Sequence, residues 1–196
     1  MSAVASCVKM ELVSERPERK SIGLEWGVVR LVEHRREWAD YYLAESERIR
    51  MCAAELIIDV QHVGSTAVPG MVAKPILDIA IAAPDKARIE MVVGRLAADG
   101  YVDRGDQGAS GGHLLVREIG PNVRTCHIHI VEVNDPQWRN YIAFRDILRH
   151  EPAVRSAYEA LKKDLAARFP EDRESYTAGK DAFVRDVLRE HGEKLP

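Results

Sequence analysis

Apolar residues recur with two different periods along the chain, and the change of period predicts a fold that mixes helices and strands. Short β-branched or alternating runs, typical of strands, occur at 26–32, 56–63, 75–82, 101–103, 113–118 and 125–133. Helical spacing covers 34–54, 85–98 and most of 136–191. We therefore expect an α/β or α+β fold, in which helices flank a mixed sheet of about five strands and two or three C-terminal helices pack on it.

The composition is that of one globular unit. The chain has 196 residues, of which 46% are hydrophobic and 30% are charged, which argues against a disordered chain and allows a self-sufficient core. The apolar start of the chain is interrupted by charges at Lys9, Glu11 and Arg16 before the hydrophobic region of a signal peptide is reached. We expect residues 1–22 to be a polar N-terminal extension and residues 23–196 to form a single domain.

Charge and cysteine content restrict the partners and the compartment. The formal net charge of −3 gives no overall attraction to nucleic acid or to an anionic membrane, and no apolar run approaches the roughly 18 residues of a membrane-spanning helix. Cys7, Cys52 and Cys126 are odd in number and far apart, so no disulfide framework or zinc-ribbon spacing is present. We expect a cytoplasmic protein without general nucleic-acid or membrane binding.

The first chemical signal is a Gly-Ser turn followed by a strand that carries a carboxylate. Gly64, Ser65 and Thr66 end one predicted strand, and Asp78 lies near the start of the next. Such a turn lets the backbone approach a ligand closely, so that amides and a hydroxyl hold phosphate oxygens, while a nearby carboxylate suits Mg²⁺. An ordinary turn and an Asp that closes a strand would give the same pattern.

The second signal is a pair of histidines on one face of a strand. Period-two geometry places His127 and His129 on one side and Ile128 and Ile130 on the other. Two imidazoles on one face can ligate a metal, bind phosphate or transfer protons. Half-exposed strand histidines are the alternative interpretation, and no third ligand follows at a diagnostic spacing.

Several cations near predicted strand ends or helix faces form the third signal, since they would bind an anion if they converged. They are Lys74, Arg117, Arg124, Arg145 and Lys180. Tyr176 and Lys180 are four residues apart on a predicted helix and therefore neighbours on one face. Solvated surface charges would look the same in the sequence.

Taken together, these blocks resemble the GrpB-like family, which is placed in the nucleotidyltransferase superfamily. The resemblance runs from about residue 28 to residue 189. Its most specific parts are the segments 62–70 and 74–79, the strand around His127 and His129, the segment 144–149, and Tyr176 to Lys180 with Phe183.

The resemblance implies a nucleotide and metal site with a departure from the working enzymes. In that superfamily a Gly-Ser turn precedes a strand with two alternating acidic residues, and a neighbouring strand adds a third. Asp78 takes the first acidic position, the second falls on Ala80, and His127 or His129 lies where the third is expected. The implied catalytic residues are Asp78, His127 and His129, and the implied metal ligands are Asp78 and His129. The implied substrate-binding residues are His62, Gly64, Ser65, Thr66, Lys74, Arg117, Arg145, Tyr176 and Lys180.

Three functions remain open at this point. The first is a nucleotidyltransferase-like enzyme that binds a nucleoside triphosphate with Mg²⁺ and acts on a small molecule or a protein side chain. The second is a non-catalytic module that binds a nucleotide or another anionic small molecule or assists folding, which Ala80 favours. The third is an enzyme of other chemistry that holds a different divalent metal with Asp78, His127 and His129.

Overall fold

The computed structural model describes residues 21–108 and 111–195. The expected N-terminal extension therefore lies almost entirely outside the described residues. At its end, Ile22 is buried in the main core, so the folded unit already includes this residue.

Six strands and six α-helices form the described part of the chain. The strands are β1 Leu24–Glu25, β2 Asp59–Val63, β3 Leu77–Ala83, β4 Val102–Asp106, β5 His113–Glu118 and β6 Val123–Glu132. The helices are α1 Glu37–Ala53, α2 Lys86–Ala98, α3 Pro136–His150, α4 Pro152–Arg168, α5 Arg173–Ala178 and α6 Asp181–Glu190. Short 3-10 turns occur at Ala54–Leu56 and Ser65–Ala67.

One sheet contains all six strands, and its strand order explains which side chains become neighbours. The order is β2-β3-β6-β5-β4, with β1 paired to the first residues of β6. The β3 and β6 strands run parallel, whereas the other pairs are antiparallel. In the parallel pair, Asp78 is opposite His127 and Ala80 is opposite His129. The mixed sheet with flanking helices confirms the expected fold class.

The expected strand at 26–32 is wrong. Only β1 and an isolated bridge between Val32 and Ala73 pair with other strands in this region. Gly27 turns the chain with a φ of 92°, and the amide of Val29 donates to the carbonyl of Pro170, 2.8 Å away. Val29 therefore packs with Leu165 and Tyr176 of the C-terminal helices, which shows how far tertiary context overrides strand propensity.

Each face of the sheet is covered by different helices. Alternate residues of β3 and β6, such as Ile79 and Ile128, are fully buried in the main core, where they pack with residues of α1 and α2 such as Trp38 and Leu96. The opposite face carries the smaller side chains Ala80 and Ala82, against which α3 packs. Asp78, His127 and His129 belong to this second face, because side chains alternate along a strand.

The C-terminal helices close over the segment between β2 and β3. Val68 and Met71 of that segment are fully buried with Leu148 of α3 and Tyr158 of α4. The ring of Tyr158 stacks on Phe183 of α6 at a centroid distance of 5.3 Å. This packing brings α4, α5 and α6 to the turn that follows β2.

Asp side chains fix the start of three helices. Asp85, Asp135 and Asp172 accept hydrogen bonds from backbone amides in the first turns of α2, α3 and α5, respectively, as N-cap residues do. Within the residues that the structure describes, no helix combines the length and the apolar character needed to cross a bilayer.

The packing predicts that Ile128→Ala destabilises the fold strongly. Ile128 is fully buried between the sheet and the α1–α2 layer, so its truncation should lower the free energy of unfolding by about 2 to 5 kcal/mol. Ile119→Ala is the matched control, because Ile119 is 42% exposed. Urea denaturation of both variants measures the difference, and equal losses would contradict the proposed core.

Candidate functional site

A carboxylate at the start of β3 is the centre of the site. The Asp78 side chain is 35% exposed and lies on the α3 face of the sheet, next to the turn that follows β2. Its Oδ1 atom lies 3.1 Å from Nδ1 of His127 on the adjacent strand. The parallel register of β3 and β6 therefore creates the Asp78–His127 contact directly.

The hydrogen-bond partners of His127 fix which ring nitrogen carries the proton. Nε2 of His127 lies 3.2 Å from an Arg173 guanidinium nitrogen, which only donates. Nε2 therefore accepts, and Nδ1 carries the hydrogen that is donated to Asp78. Burial lowers the pKa of His127 to about 4, so this ring is neutral at pH 7.

Asp78 stays ionised despite its surroundings. Burial alone raises the pKa of the carboxyl, but the hydrogen bond from His127 and the positive charge of Lys74 favour the anion. The net result is a pKa below the ordinary value of an Asp. The site thus contains a fixed negative charge at neutral pH.

His129 presents a nitrogen lone pair to this carboxylate. Its Nδ1 atom lies 3.2 Å from the carbonyl oxygen of Gly111, which only accepts, so Nδ1 carries the proton. Burial lowers the pKa of His129, which leaves Nε2 unprotonated and 4.0 Å from Oδ1 of Asp78. Two electron-rich atoms that face each other across this gap suit a cation between them.

The two ligand atoms of Asp78 and His129 fit a cation that is also coordinated by a bound ligand. Among the residues that the structure describes, no three His, Cys, Asp or Glu side chains form a metal-binding group. Asp78 and His129 would supply two ligands, and phosphate oxygens or water would supply the rest, as is usual for Mg²⁺. The expected facial set with His127 is wrong for this arrangement, since both nitrogens of His127 are already hydrogen-bonded.

A glycine with a positive φ sets the distance between the β2 turn and Asp78. Gly64 has φ 67° and ψ −170°, a backbone region that glycine occupies and other residues avoid. A Cβ atom at this position would lie 2.6 Å from Oδ2 of Asp78. The Gly-Ser turn therefore packs directly on the carboxylate, as the spacing of these residues predicted.

Of the residues around Gly64, Ser65 lies at the site, whereas His62 and Thr66 are buried in the interior. The hydroxyl of Ser65 lies 3.0 Å from Nζ of Lys162 on α4. His62 and Thr66 are buried and hydrogen-bonded to each other at 3.0 Å, and His62 stacks on Tyr42 of α1. Because His62 pairs with Ile79 across the strands, it lies on the α1 face of the sheet, and the structure does not bring this expected substrate-binding residue to the face that carries Asp78.

Three cations surround the Asp78 face. Lys74 and Lys180 have their Nζ atoms 5.0 Å and 4.8 Å from the ring centroid of Tyr176, and Arg173 completes the group. Burial and the charges of Lys180 and Arg173 together lower the pKa of Lys74 to about 7, although the charge of Asp78 opposes the shift. Between residues 21 and 195, apart from 109–110, no salt bridge within 4.0 Å joins any of these three cations to a carboxylate.

Two of the expected substrate-binding arginines lie elsewhere. Arg117 is paired with Glu45 of α1 at 2.9 Å, and its register partner Cys126 places it on the α1 face. Arg145 donates to Asp146 and to the side chain of Gln61, so it ties α3 to β2. The contacts of Arg117 and Arg145 do not include Asp78, so the structure does not bring these two expected substrate-binding residues to the carboxylate.

Comparison with known proteins shows the family of the chain. The sequence model described as "GrpB protein" matches residues 28–190. The chain belongs to the GrpB family. A relative named glutamate-rich protein GrpB, from Alkalihalophilus pseudofirmus, is 33% identical over 172 residues, which cover 86% of this chain and 99% of the relative.

Two further GrpB-type matches differ in how much of the other chain they cover. The UPF0157 protein YqkA of Bacillus subtilis is 33% identical over 157 residues, which are 80% of this chain and 45% of YqkA. This chain therefore spans about half the length of that relative. The crystal structure of a conserved protein GrpB from Enterococcus faecalis superimposes with a TM-score of 0.73 and 31% identity, and the match covers 82% of this chain and 96% of the other.

Arg173, Lys162 and Tyr141 complete the site of this GrpB protein, and sequence reasoning missed all three. The ring of Tyr141 on α3 lies 5.2 Å from that of His129, and its hydroxyl donates to the carbonyl of Gly111. A signal existed for Lys162, because it occupies the helical stripe of buried positions formed with Tyr158 and Leu165, and a lysine in such a stripe needs polar partners. Arg173 carries no comparable signal. Its guanidinium lies over the ring of Trp26 at 4.4 Å, a contact between segments that are distant in sequence.

The geometry predicts that Gly64→Ala displaces Asp78. The positive φ alone should cost about 1 to 3 kcal/mol of folding free energy, and the added Cβ would collide with the carboxylate. Nitrogen NMR of the His127 ring should then report the loss of its Asp78 acceptor. Gly70→Ala is the control, since Gly70 also has a positive φ of 80° but an added Cβ atom would have nothing within 4 Å. An unchanged His127 spectrum in Gly64→Ala would contradict this geometry.

Proposed function

We propose that this GrpB protein binds a nucleoside triphosphate together with a divalent cation and transfers its nucleotidyl group to a small-molecule or protein acceptor. The bond between the α- and β-phosphates breaks, the acceptor bonds to the α-phosphorus, and pyrophosphate leaves. The observation that carries the proposal is the cluster of Lys74, Arg173 and Lys180 around a single ionised carboxylate. The nucleotide is the part that the charge distribution supports best. The transfer reaction rests on the Gly-Ser turn and on the resemblance of the sequence to nucleotidyltransferases.

The charge balance of the cluster favours a polyanionic ligand. Lys180 and Arg173 lower the pKa of Lys74, and only Asp78 among its main charged neighbours raises it. Such mutual repulsion costs folding free energy that an anion at the same place would offset. Arg binds phosphate oxygens bidentately and Lys binds them as a point charge, so the cluster suits a chain of phosphates.

A divalent cation would join the triphosphate to Asp78. The carboxylate oxygens of Asp78 and Nε2 of His129 would hold it, and it would supply charge neutralisation for the phosphates when bound. His127 keeps Asp78 oriented through the hydrogen bond to Oδ1, and Arg173 keeps His127 in the tautomer that donates. In this proposal His127 is a positioning residue, and Asp78 and His129 contact the ligand.

A non-catalytic nucleotide-binding role is the second candidate, and Ala80 is the observation that favours it. Ala80 is fully buried beneath α3 and stands where working nucleotidyltransferases are expected to have a second acidic residue. Two-metal phosphoryl chemistry needs several anionic ligands. Asp78→Asn separates the two roles: loss of turnover with nucleotide binding retained favours an enzyme, whereas a variant with full biological activity favours the binding module.

Calorimetry with Mg²⁺ and each of the four ribonucleoside triphosphates tests the binding step. We expect binding by the wild-type protein, and about tenfold or greater weakening in Lys74→Met, because a charge-assisted contact is lost. Lys163→Met is the matched control, since Lys163 is an exposed lysine of α4. Failure of all four nucleotides to bind at millimolar concentration would contradict the proposal.

The affinity for the triphosphate should fall as the pH rises above neutrality. The pKa of Lys74 is lowered to about 7 in the free protein, and a bound anion raises it, so the favourable charge is present below the free-state pKa and must be restored by protonation above it. Titrations between about pH 7.5 and 9, where the phosphates are already ionised, should show the decline. Lys74→Met should have a flatter profile, and identical profiles would contradict the role of Lys74.

A further inference from the structure

A buried lysine lies behind the hydroxyl of the Gly-Ser turn. Lys162 is only 2% exposed, and its Nζ atom contacts two neutral oxygens, the carbonyl of Val72 at 2.5 Å and Oγ of Ser65 at 3.0 Å. The ring of Tyr158 lies beneath the ammonium, with its centroid 5.0 Å away. Ser65 itself is only half-buried, so it separates the buried lysine from the ligand face.

The surroundings of Lys162 make both of its protonation states accessible at neutral pH. Burial lowers the pKa of Lys162 to about 7, and the charges of Lys180 and Lys163 act in the same direction. Glu159, one turn earlier on α4, acts in the opposite direction, and its carboxylate also accepts a hydrogen bond from the amide of Val72 at 2.9 Å. A small change of nearby charge therefore shifts the proton on Lys162.

The protonation state of Lys162 determines the direction of the hydrogen bond to Ser65. A charged ammonium has three donors and no acceptor, so it donates to Oγ of Ser65 and leaves the hydroxyl hydrogen free for another oxygen. A neutral amine has a lone pair, which accepts that hydrogen while an N–H group still donates to Val72. When Lys162 is charged, the Ser65 hydroxyl can therefore donate to a ligand oxygen. When Lys162 is neutral, the Ser65 hydroxyl can only accept a hydrogen bond from a ligand.

We propose that Lys162 is a positioning residue that directs the Ser65 hydroxyl toward a phosphate oxygen, so that the phosphate ligand binds most tightly when Lys162 is protonated. This inference rests on the proposed function, because it assumes that a phosphate occupies the face next to Ser65. The inference adds to that function a residue, Lys162, that orients the hydroxyl of the Gly-Ser turn. It also implies that binding of the phosphate draws a proton from solvent onto Lys162, since a phosphate accepts the freed hydroxyl hydrogen and neutral Lys162 withholds it.

Calorimetry with inorganic triphosphate and Mg²⁺ at about pH 8 tests the coupling, with proton uptake obtained from buffers of different ionisation enthalpy. Ser65→Ala and Lys162→Met should each weaken binding about tenfold. In the double variant the Lys162 change should cost about threefold or less, since its effect passes through Ser65. Lys162→Met should also take up fewer protons than the wild type. Lys86→Met should match the wild type, because Lys86 is an exposed residue of α2 on the other side of the sheet.

The outcomes separate this inference from the proposed function. Two results would overturn this inference while leaving the proposed function intact, provided that the wild type binds. One is that Lys162→Met weakens binding by the same factor with Ser65 and with Ser65→Ala. The other is that Lys162→Met takes up as many protons as the wild type. Absence of binding by triphosphate and by all four nucleotides overturns the proposed function as well.

NMR of the wild-type protein tests the inference even if the variants do not fold. Carbon NMR of the lysine ε-carbons in the wild-type protein should show two groups that titrate near pH 7, Lys74 and Lys162. The Lys162 signal is the one that disappears from the spectrum of Lys162→Met. Addition of inorganic triphosphate with Mg²⁺ should move this titration to higher pH. A Lys162 signal that stays charged up to about pH 10, as an exposed lysine does, would overturn the inference.

Discussion

The parallel pairing of β3 with β6 is the constraint on which the site depends. The register sets Asp78 beside His127 and Ala80 beside His129, and the period of two sends all four side chains to the face that α3 covers. A slip of one residue would exchange them with the isoleucines of the main core. The buried isoleucines of both strands therefore fix the register, and the polar site follows from the packing of the opposite face.

Electrostatics gives this face its character. A single carboxylate, Asp78, is kept ionised by a neutral imidazole that donates to it and by the charge of Lys74. Burial and the nearby charge of Lys180 lower the pKa of Lys74, and of Lys162 behind the Gly-Ser turn, to about 7. A folded protein keeps such strained charges where a ligand offsets their cost. The same reasoning explains why Ala80 matters: without a second carboxylate the face has an excess of positive charge, which favours an anion over a second metal ion.

Much of the site was predictable because it depends on local periodicity. The alternation around His127 and His129, the Gly-Ser turn and the position of Asp78 in the next strand are visible in the sequence. Tyr176 and Lys180 are in contact, but they do not lie on one helix as expected, because α5 ends at Ala178 and Lys180 precedes α6. His62 and Arg117 were expected to bind substrate, but both lie on the α1 face, and alternation alone does not say which parity of a strand faces α1. The stripe of buried positions on α4 marks Lys162 as a lysine that needs polar partners. It does not identify those partners, because Lys162 and Arg173 reach the site only when the C-terminal helices fold over the β2–β3 segment.

In the proposed complex, Asp78 and His129 hold a divalent cation, and the triphosphate bound to that cation contacts Lys74, Arg173 and Lys180. Crystals soaked with Mn²⁺ and inorganic triphosphate test it directly, since manganese scatters anomalously and is bound by the same oxygen-rich sites as magnesium. The account predicts an anomalous peak within coordination distance of the Asp78 carboxylate, with phosphate density beside the three cations. Manganese or phosphate found only at other surfaces, with this face unchanged, would contradict it.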